Sequence, residues 1–242
     1  MKIIADLHTH TNVIDHAYST FEEMVQGAKR AGLSVIAITN HGPLMEDAVH
    51  HWHFDTLYRL PRVVDGVFVL RGIELNILPP LGGTDPIRVK TMRCMEQCIA
   101  SFHEGCYQPA SAEDHTTALE GILKNPYVNL LGHLGNPKFP FDMEAIISQC
   151  NRYGKAVEIN NGTFLVRPQA VERCRQIALL CKEYRVPVMV NSDAHISYEV
   201  GGFSQALSML SSIDFPEELI INGDMGRLKT YFKALRGVDI AV

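Results

Sequence analysis

The sequence has no apolar run approaching the roughly 18 residues that a membrane-spanning helix needs. Its first residues, MKIIADLHTH, turn polar at Asp6 and lack the apolar core of a signal peptide. Basic residues are also in deficit, with 22 Lys and Arg against 27 Asp and Glu. The resulting net charge of -5 argues against a nucleic-acid-binding surface. We therefore expect neither a membrane protein nor a nucleic-acid-binding protein.

Cysteine is scarce, with six residues in 242, and this is a poor basis for a disulfide framework. A chain of this length can bury a large core without covalent cross-links. Buried free thiols are common, and reduced thiols are typical of the cytoplasm, so we expect a cytoplasmic protein. The cysteines expected to be buried are Cys94, Cys98, Cys150, Cys174 and Cys181.

Linkers and low-complexity tracts are missing, so a single domain over residues 1–242 is predicted. Short β-favouring segments alternate with helix-like segments, which indicates an α/β fold with a parallel sheet. The helices are expected near Lys90, over 113–124, 142–153 and 169–184, and after a capping box of Ser19 and Glu22. The seven predicted strands are 2–7, 33–39, 67–75, 98–102, 129–131, 156–159 and 187–190. We expect a (β/α) barrel of about seven units, one fewer than the common eight.

Histidine is plentiful by contrast, with 11 residues against a single tryptophan. The histidines gather at the predicted carboxyl ends of the strands, where the active site of a (β/α) barrel lies. His8 and His10, like Asp193 and His195, are two apart, and side chains two apart on a strand share a face. Each pair can therefore bind one ion. The other strand ends carry His41, Glu74, His103, His133 and the amides Asn160 and Asn161, and His16 follows in the first loop.

Imidazole and carboxylate ligands suit zinc, manganese, iron or nickel, so this convergence predicts a metal centre. Asp6 shares the face of His8 and His10 on the first strand but lies further from the strand end. It is expected to accept a hydrogen bond from the N–H group of an imidazole that binds the metal. His50, His51 and His53 flank Trp52 in an irregular insertion and are expected to lie in a solvated loop. His115 is expected at the surface.

The motifs DLHTHT, TNH, RGIE, FHEG, GHLGNP and NSDAH resemble, in this order, those of the PHP family, named for polymerase and histidinol phosphatase. The resemblance covers essentially the whole chain and is strongest to the small bacterial phosphatases of the YcdX type. It implies a distorted seven-stranded (β/α) barrel, a homo-oligomer (trimers occur among relatives) and three divalent ions, with zinc favoured and manganese or iron as alternatives. The implied ligands are His8, His10, Glu74 and Asp193 for the first ion, Glu74, His103 and His133 for the second, and His16, His41 and His195 for the third.

The predicted activity is that of a phosphoric monoester hydrolase acting on small phosphorylated substrates. A water bound to such ions can have its pKa lowered from 15.7 to about 7, which supplies a hydroxide nucleophile. Glu74, Asp193 and His195 are the predicted catalytic residues. Arg167, which could form a bidentate fork with phosphate, Asn161 and Lys138 are the predicted substrate-binding residues.

Two other classes remain open at this point. An amidohydrolase-like metal hydrolase of C–N or C–O bonds shares the paired histidines and the last-strand aspartate, but does not need His16 and His41. A non-catalytic metal-binding module would instead use closed, four-coordinate sites. Metal content and phosphatase assays separate these classes. The substrate and the native metal are not readable from the sequence.

Overall fold

Seven parallel strands form a nearly closed barrel in residues 1–241, the part of the chain that the computed structural model describes. Neighbours in the barrel follow chain order, and one further short strand pairs antiparallel with the third of them. The strands are β1 (Ala5–Asp6), β2 (Val35–Ile38), β3 (Val63–Val64, the antiparallel one), β4 (Val67–Asn76), β5 (Gln97–Ser101), β6 (Leu130–Leu131), β7 (Ala156–Asn160) and β8 (Val188–Asn191). The predicted seven-stranded α/β barrel is confirmed.

Helices follow most of the strands and cover the outside of the barrel. They are α1 (Phe21–Arg30), α2 (Trp52–Asp55), α3 (Val89–Met92), α4 (Ala112–Lys124), α5 (Met143–Ile147), α6 (Asn161–Val166), α7 (Val171–Glu183), α8 (Ser204–Ser212) and α9 (Met225–Arg236). No helix within residues 1–241 is both long and apolar enough to span a membrane. The helix predicted over 142–153 is shorter than expected, because α5 ends at Ile147 and a separate 3-10 turn follows at Asn151–Tyr153.

The predicted capping box of α1 is wrong by one residue. Thr20, not Ser19, accepts a hydrogen bond from the backbone N–H of Glu23, and the Glu23 carboxylate accepts one from the Thr20 N–H in return. Ser19 instead accepts a hydrogen bond from the Ser197 N–H at 3.0 Å. Ser19, the predicted cap of α1, therefore links the loop after β1 to the loop after β8.

The strands are buried on both faces, because alternate residues serve two different cores. Val35 and Ala37 point into the barrel, whereas Ile36 and Ile38 pack against the surrounding helices. Leu228 and Phe232 of α9 join the inner core, so this helix closes the end of the barrel at which the strands begin. The polar residues lie at the opposite end of the barrel, where the strands finish.

The seam between β1 and β8 is bridged by the side chain of Asn222. Its amide nitrogen donates to the carbonyls of Ala5 at 2.8 Å and Val190 at 2.6 Å. Its amide oxygen accepts from the Val190 N–H at 3.0 Å. Nearer the site, Thr9 and Ala194 form a single parallel bridge. One fully buried amide therefore makes the backbone hydrogen bonds that a ladder would otherwise supply.

Four of the five cysteines expected in the core are buried: Cys98, Cys150, Cys174 and Cys181. Cys94 is exposed, because α3 ends at Met92 and the chain turns at the surface before β5 begins. All six cysteines of the chain are free thiols.

Candidate metal centre

Glu74 lies at the centre of a cluster of histidines. It belongs to β4, it is 1% exposed, and its two oxygens face different neighbours. Oε2 lies 3.2 Å from Nε2 of His8 and 3.2 Å from Nε2 of His41. Oε1 lies 2.9 Å from Nε2 of His133 and 3.4 Å from Nε2 of His103. Each oxygen of this one carboxylate therefore faces its own set of imidazoles, as a carboxylate that bridges two ions would.

Asp193 is the second carboxylate at this end of the barrel. Its Oδ1 lies 3.1 Å from Nε2 of His10 and 3.4 Å from Nε2 of His8. Asp193 and His133 both have a positive φ, of 60° and 27°, which is uncommon for residues other than glycine. Such strain clusters at functional sites, because the surrounding structure must hold the residue in place. Both residues follow a strand end, and the left-handed turn aims their side chains at the cluster.

The structure brings all nine predicted ligands to one end of the barrel. Possible ligand atoms lie within 4.8 Å of one another in four groups. One group is the predicted first site without Glu74. The other three groups share His41, and one of them includes Asp47, which is not among the predicted ligands. The groups are His8, His10 and Asp193; His10, His41 and His195; His41, Glu74 and His103; and His16, His41 and Asp47.

The electrostatics of the cluster favour a bound cation. Burial alone would raise the pKa of Glu74, but the imidazoles of His8 and His103 outweigh it, and its pKa lies well below the ordinary value. Burial alone would lower the pKa of His8, but the carboxylates of Glu158 and Glu74 hold it well above the ordinary value. Burial and the neighbouring His195 keep the pKa of His10 well below its usual range, so this ring is neutral and can ligate.

Three imidazole nitrogens are buried in the cluster without a hydrogen-bond partner within the described residues. They are Nε2 of His8, Nδ1 of His10 and Nε2 of His195. Buried polar atoms are rarely left unpaired, because each one costs about 1–3 kcal/mol. Imidazole nitrogens without partners, gathered in one cluster with the Glu74 and Asp193 carboxylates, are the donor set of a zinc-type ion, so the residues fit such a metal.

Glu158 supports the cluster from the side of β7 and is not among the predicted site residues. It lies in β7, and its Oε1 accepts from Nδ1 of His8 at 2.7 Å. Its Oε2 accepts from the backbone N–H of His133 at 2.8 Å. The role expected of Asp6 is therefore wrong. Asp6 accepts from Oγ of Ser192 at 2.5 Å instead, because its side chain points toward the loop after β8, and burial raises its pKa to about 6.

Asp47 is the other missed carboxylate, and it faces two histidines at once. It accepts a short hydrogen bond from Nδ1 of His16, and it lies 3.5 Å from Nδ1 of His41. Because Nδ1 of both rings faces a carboxylate, Nδ1 carries the proton and Nε2 keeps its lone pair for a metal. Asp47 comes from the irregular insertion between β2 and β3, not from a strand end.

We expect Asp47→Asn to weaken metal binding at the His16 and His41 position by about 10- to 100-fold, the usual cost of removing an outer carboxylate partner. Under competition from a chelator, the variant should lose one ion per chain before the wild type does, as measured by elemental analysis. Glu46→Gln is the matched control, because Glu46 is the exposed neighbour of Asp47. Equal metal retention in the two variants would contradict the role of Asp47.

The predicted substrate-binding residues differ in their placement. Arg167 and Asn161 line the same pocket as the histidines. Arg167 makes no ion pair or side-chain hydrogen bond with any of residues 1–241, so its guanidinium can take an anion. Lys138 does not line the pocket, and its Nζ pairs with the Glu104 carboxylate at 2.8 Å. A substrate role for Lys138 would require this exposed ion pair to open.

Two of the remaining histidines are placed otherwise than expected. His115 is fully buried, not at the surface, because its ring bonds to the Pro140 carbonyl at 2.7 Å and the Ala110 N–H at 3.0 Å. His53 is half-buried in α2, where Nε2 lies 3.2 Å from the Asn40 amide, and burial lowers its pKa to about 4. His53 thus supports the loop beside His41 and is only partly exposed to solvent.

Comparison with known proteins gives one family and several relatives. A family model described as the PHP domain matches residues 6–165. A "probable phosphatase" of Acetivibrio thermocellus is 40% identical over 233 residues, which is 96% of each chain, and one of Clostridium botulinum is 41% identical over the same share. A histidinol phosphate phosphatase of Lactococcus lactis, solved with zinc, L-histidinol and phosphate, is similar in fold, with a TM-score of 0.66 at 17% identity over 89% of this chain and 95% of that one.

Proposed function

Since the chain belongs to the PHP domain family, we propose that it is a metal-dependent phosphatase that hydrolyses small phosphate monoesters. The observation that carries the proposal is the buried Glu74 carboxylate with imidazole nitrogens around both of its oxygens. Relatives 40% identical over 96% of the chain are named probable phosphatases, which supports the same activity. The reaction class is that of a phosphoric monoester hydrolase.

The proposed cofactor is three divalent ions per chain, with zinc favoured and manganese or iron as alternatives. His8, His10 and Asp193 would hold the first, and Glu74 would bridge it to a second held by His103 and His133. His16, His41 and His195 would hold the third. Divalent ions in this position would lower the pKa of a bound water toward about 7 and polarise phosphoryl oxygens.

Four carboxylates lower the positive charge that the ions would bring to this site. Three divalent ions carry +6, and Glu74 and Asp193, the two carboxylates among the proposed ligands, offset two of these charges. Glu158 and Asp47 add two more within hydrogen-bonding distance of ligand histidines. About +2 then remains, which still attracts a phosphate dianion because bound ions dominate a local field.

The protein's own residues orient the reactants. Asp193 is fixed from two sides, since Nδ2 of Asn160 donates to its Oδ2 at 3.1 Å and His10 faces its Oδ1. His195 donates from Nδ1 to the Asp193 carbonyl at 2.8 Å, which leaves Nε2 directed into the site. Arg167, at the pocket wall, can bind two non-bridging phosphate oxygens as a bidentate fork. Glu74, Asp193 and His195 are therefore the proposed catalytic residues, and Arg167 and Asn161 the proposed substrate contacts.

The test is reconstitution of the purified protein with zinc, manganese or iron, followed by elemental analysis and assays of phosphate release. We expect close to three ions per chain, and hydrolysis of a panel of phosphorylated metabolites with competitive inhibition by inorganic phosphate. Amide, lactone and carboxylic ester substrates, tested in parallel, address the amidohydrolase-like alternative. One ion or fewer per chain, or turnover confined to C–N or C–O bonds, would overturn the proposal.

Three earlier expectations stay predictions. They are the single domain over residues 1–242, the homo-oligomer with a trimer as one form, and the cytoplasmic location. Size-exclusion chromatography with light scattering measures the second directly.

A further inference from the structure

The metal centre is the floor of a pocket of about 600 Å³, and part of its wall is apolar. Leu165 and Val166, at the end of α6, line this pocket with 58% and 69% of their surface exposed. Met45, from the insertion that also carries Asp47, adds a third apolar side chain. Apolar groups exposed beside convergent polar groups are typical of a ligand pocket.

The polar groups of the same wall are largely committed to the protein itself. The side-chain oxygen of Asn161 accepts from two backbone N–H groups of α8, both at 3.0 Å, which leaves its Nδ2 for the proposed substrate contact. Oγ of Ser192 donates to Asp6 at 2.5 Å, and one oxygen of Glu199 accepts a backbone N–H at 3.1 Å. A site that selects a polyhydroxylated substrate needs hydrogen-bonding groups placed for its hydroxyls. This wall offers few of them.

We propose that the pocket selects phosphate monoesters of apolar alcohols over phosphate esters of polyols, with Leu165 and Val166 as the specificity-determining residues. The inference rests on the proposed function, because it places the phosphoryl group at the metal centre and beside Arg167. Arg167 lines the same pocket as Leu165 and Val166, so a substrate held by its phosphate at Arg167 can extend its organic part along the two apolar side chains.

The experiment compares n-hexyl phosphate with sorbitol 6-phosphate on the metal-reconstituted protein. Both are esters of a primary six-carbon alcohol, so they differ mainly in the hydroxyl groups of the carbon chain. We expect kcat/KM to be at least about 10-fold higher for n-hexyl phosphate, as burial of two or more methylene groups provides. A ratio near one, or one that favours sorbitol 6-phosphate, would overturn the inference and leave the phosphatase activity intact.

The double variant Leu165→Asn, Val166→Asn tests the two residues. We expect KM for n-hexyl phosphate to rise about 10-fold with a smaller change in kcat, because the lost contact is to a part of the substrate that does not react. The matched control is Leu81→Asn, Val89→Asn, since these side chains are 68% and 53% exposed and lie outside the pocket. Equal KM values in the two double variants would contradict the assignment.

If neither ester is hydrolysed, that result counts against the proposed function. The contribution of the apolar wall to ligand binding is then tested separately, by a binding measurement. Calorimetric titration compares hexylphosphonate with methylphosphonate, which share the anionic group and differ in the apolar chain. Tighter binding of hexylphosphonate by the wild type, and loss of that difference in the Leu165, Val166 variant, would support the wall. Equal affinities of the two phosphonates for the wild type would overturn it.

Discussion

Glu74→Gln is expected to lower kcat by about 100- to 1,000-fold and to release metal from the protein. The two oxygens of Glu74 face His8 and His41 on one side and His133 on the other, at 2.9 to 3.2 Å. Glutamine has nearly the same shape, but it replaces one oxygen with an NH₂ group that cannot ligate a cation. The substitution therefore removes both the bridge and a negative charge from a fully buried position.

The activity of Glu74→Gln is compared with that of His16→Ala, for which a smaller loss is expected. The His16 side chain is 50% exposed and it contacts the site from a loop, so its loss should cost activity by a smaller factor than Glu74→Gln. Glu104→Gln is the conservative control, because the Glu104 carboxylate pairs with Lys138 at the surface. Activity and metal content are measured together. If Glu74→Gln kept near-normal turnover and a full complement of metal, Glu74 would not bridge two ions.

Asn222→Ala is expected to lower the free energy of unfolding by about 3–5 kcal/mol, because it leaves buried backbone groups without partners. Three hydrogen bonds to the backbone are lost, two to Val190 and one to Ala5, and the side chain lies in a fully buried seam where water cannot replace it. Urea denaturation of the metal-free proteins gives the difference directly.

Two further variants sharpen this measurement. Asn222→Asp keeps an acceptor for the Val190 N–H but loses both N–H donors, so it should also destabilise the fold. Asn12→Ala removes an exposed asparagine and should change the free energy of unfolding by less than about 0.5 kcal/mol. A loss below about 1 kcal/mol in Asn222→Ala would show that the seam is held by the neighbouring strands and not by this amide.

The barrel could be predicted because its short strands are apolar on both faces and alternate with helix-like segments, a pattern typical of a parallel sheet covered on both sides. The gathering of the candidate ligands could be predicted because residues spaced two apart, such as His8 and His10, fall where predicted strands end. Glu158 was missed although a lone glutamate within the apolar β7 is a signal of a buried carboxylate with a partner.

The other differences between the predictions and the structure arise from contacts between distant parts of the chain. Asp47 meets His16 across 31 positions of sequence, and no local pattern encodes such a contact. The positive φ values of His133 and Asp193 are imposed by the surrounding structure, so their residue types do not reveal them. His115 was expected at the surface because it lies near a helix start, yet packing against Phe102 and Phe139 buries it.

The position of Asn222 has a consequence for the synthesis of the protein. A ribosome adds about 5–20 residues per second, so the first strand emerges tens of seconds before residue 222 does. Until β8 has been made, β1 has no partner on the side that later meets it, and the growing sheet exposes an unpaired edge to other chains. Closure of the barrel is thus a late event, completed by Asn222 only after nearly the whole chain has been translated.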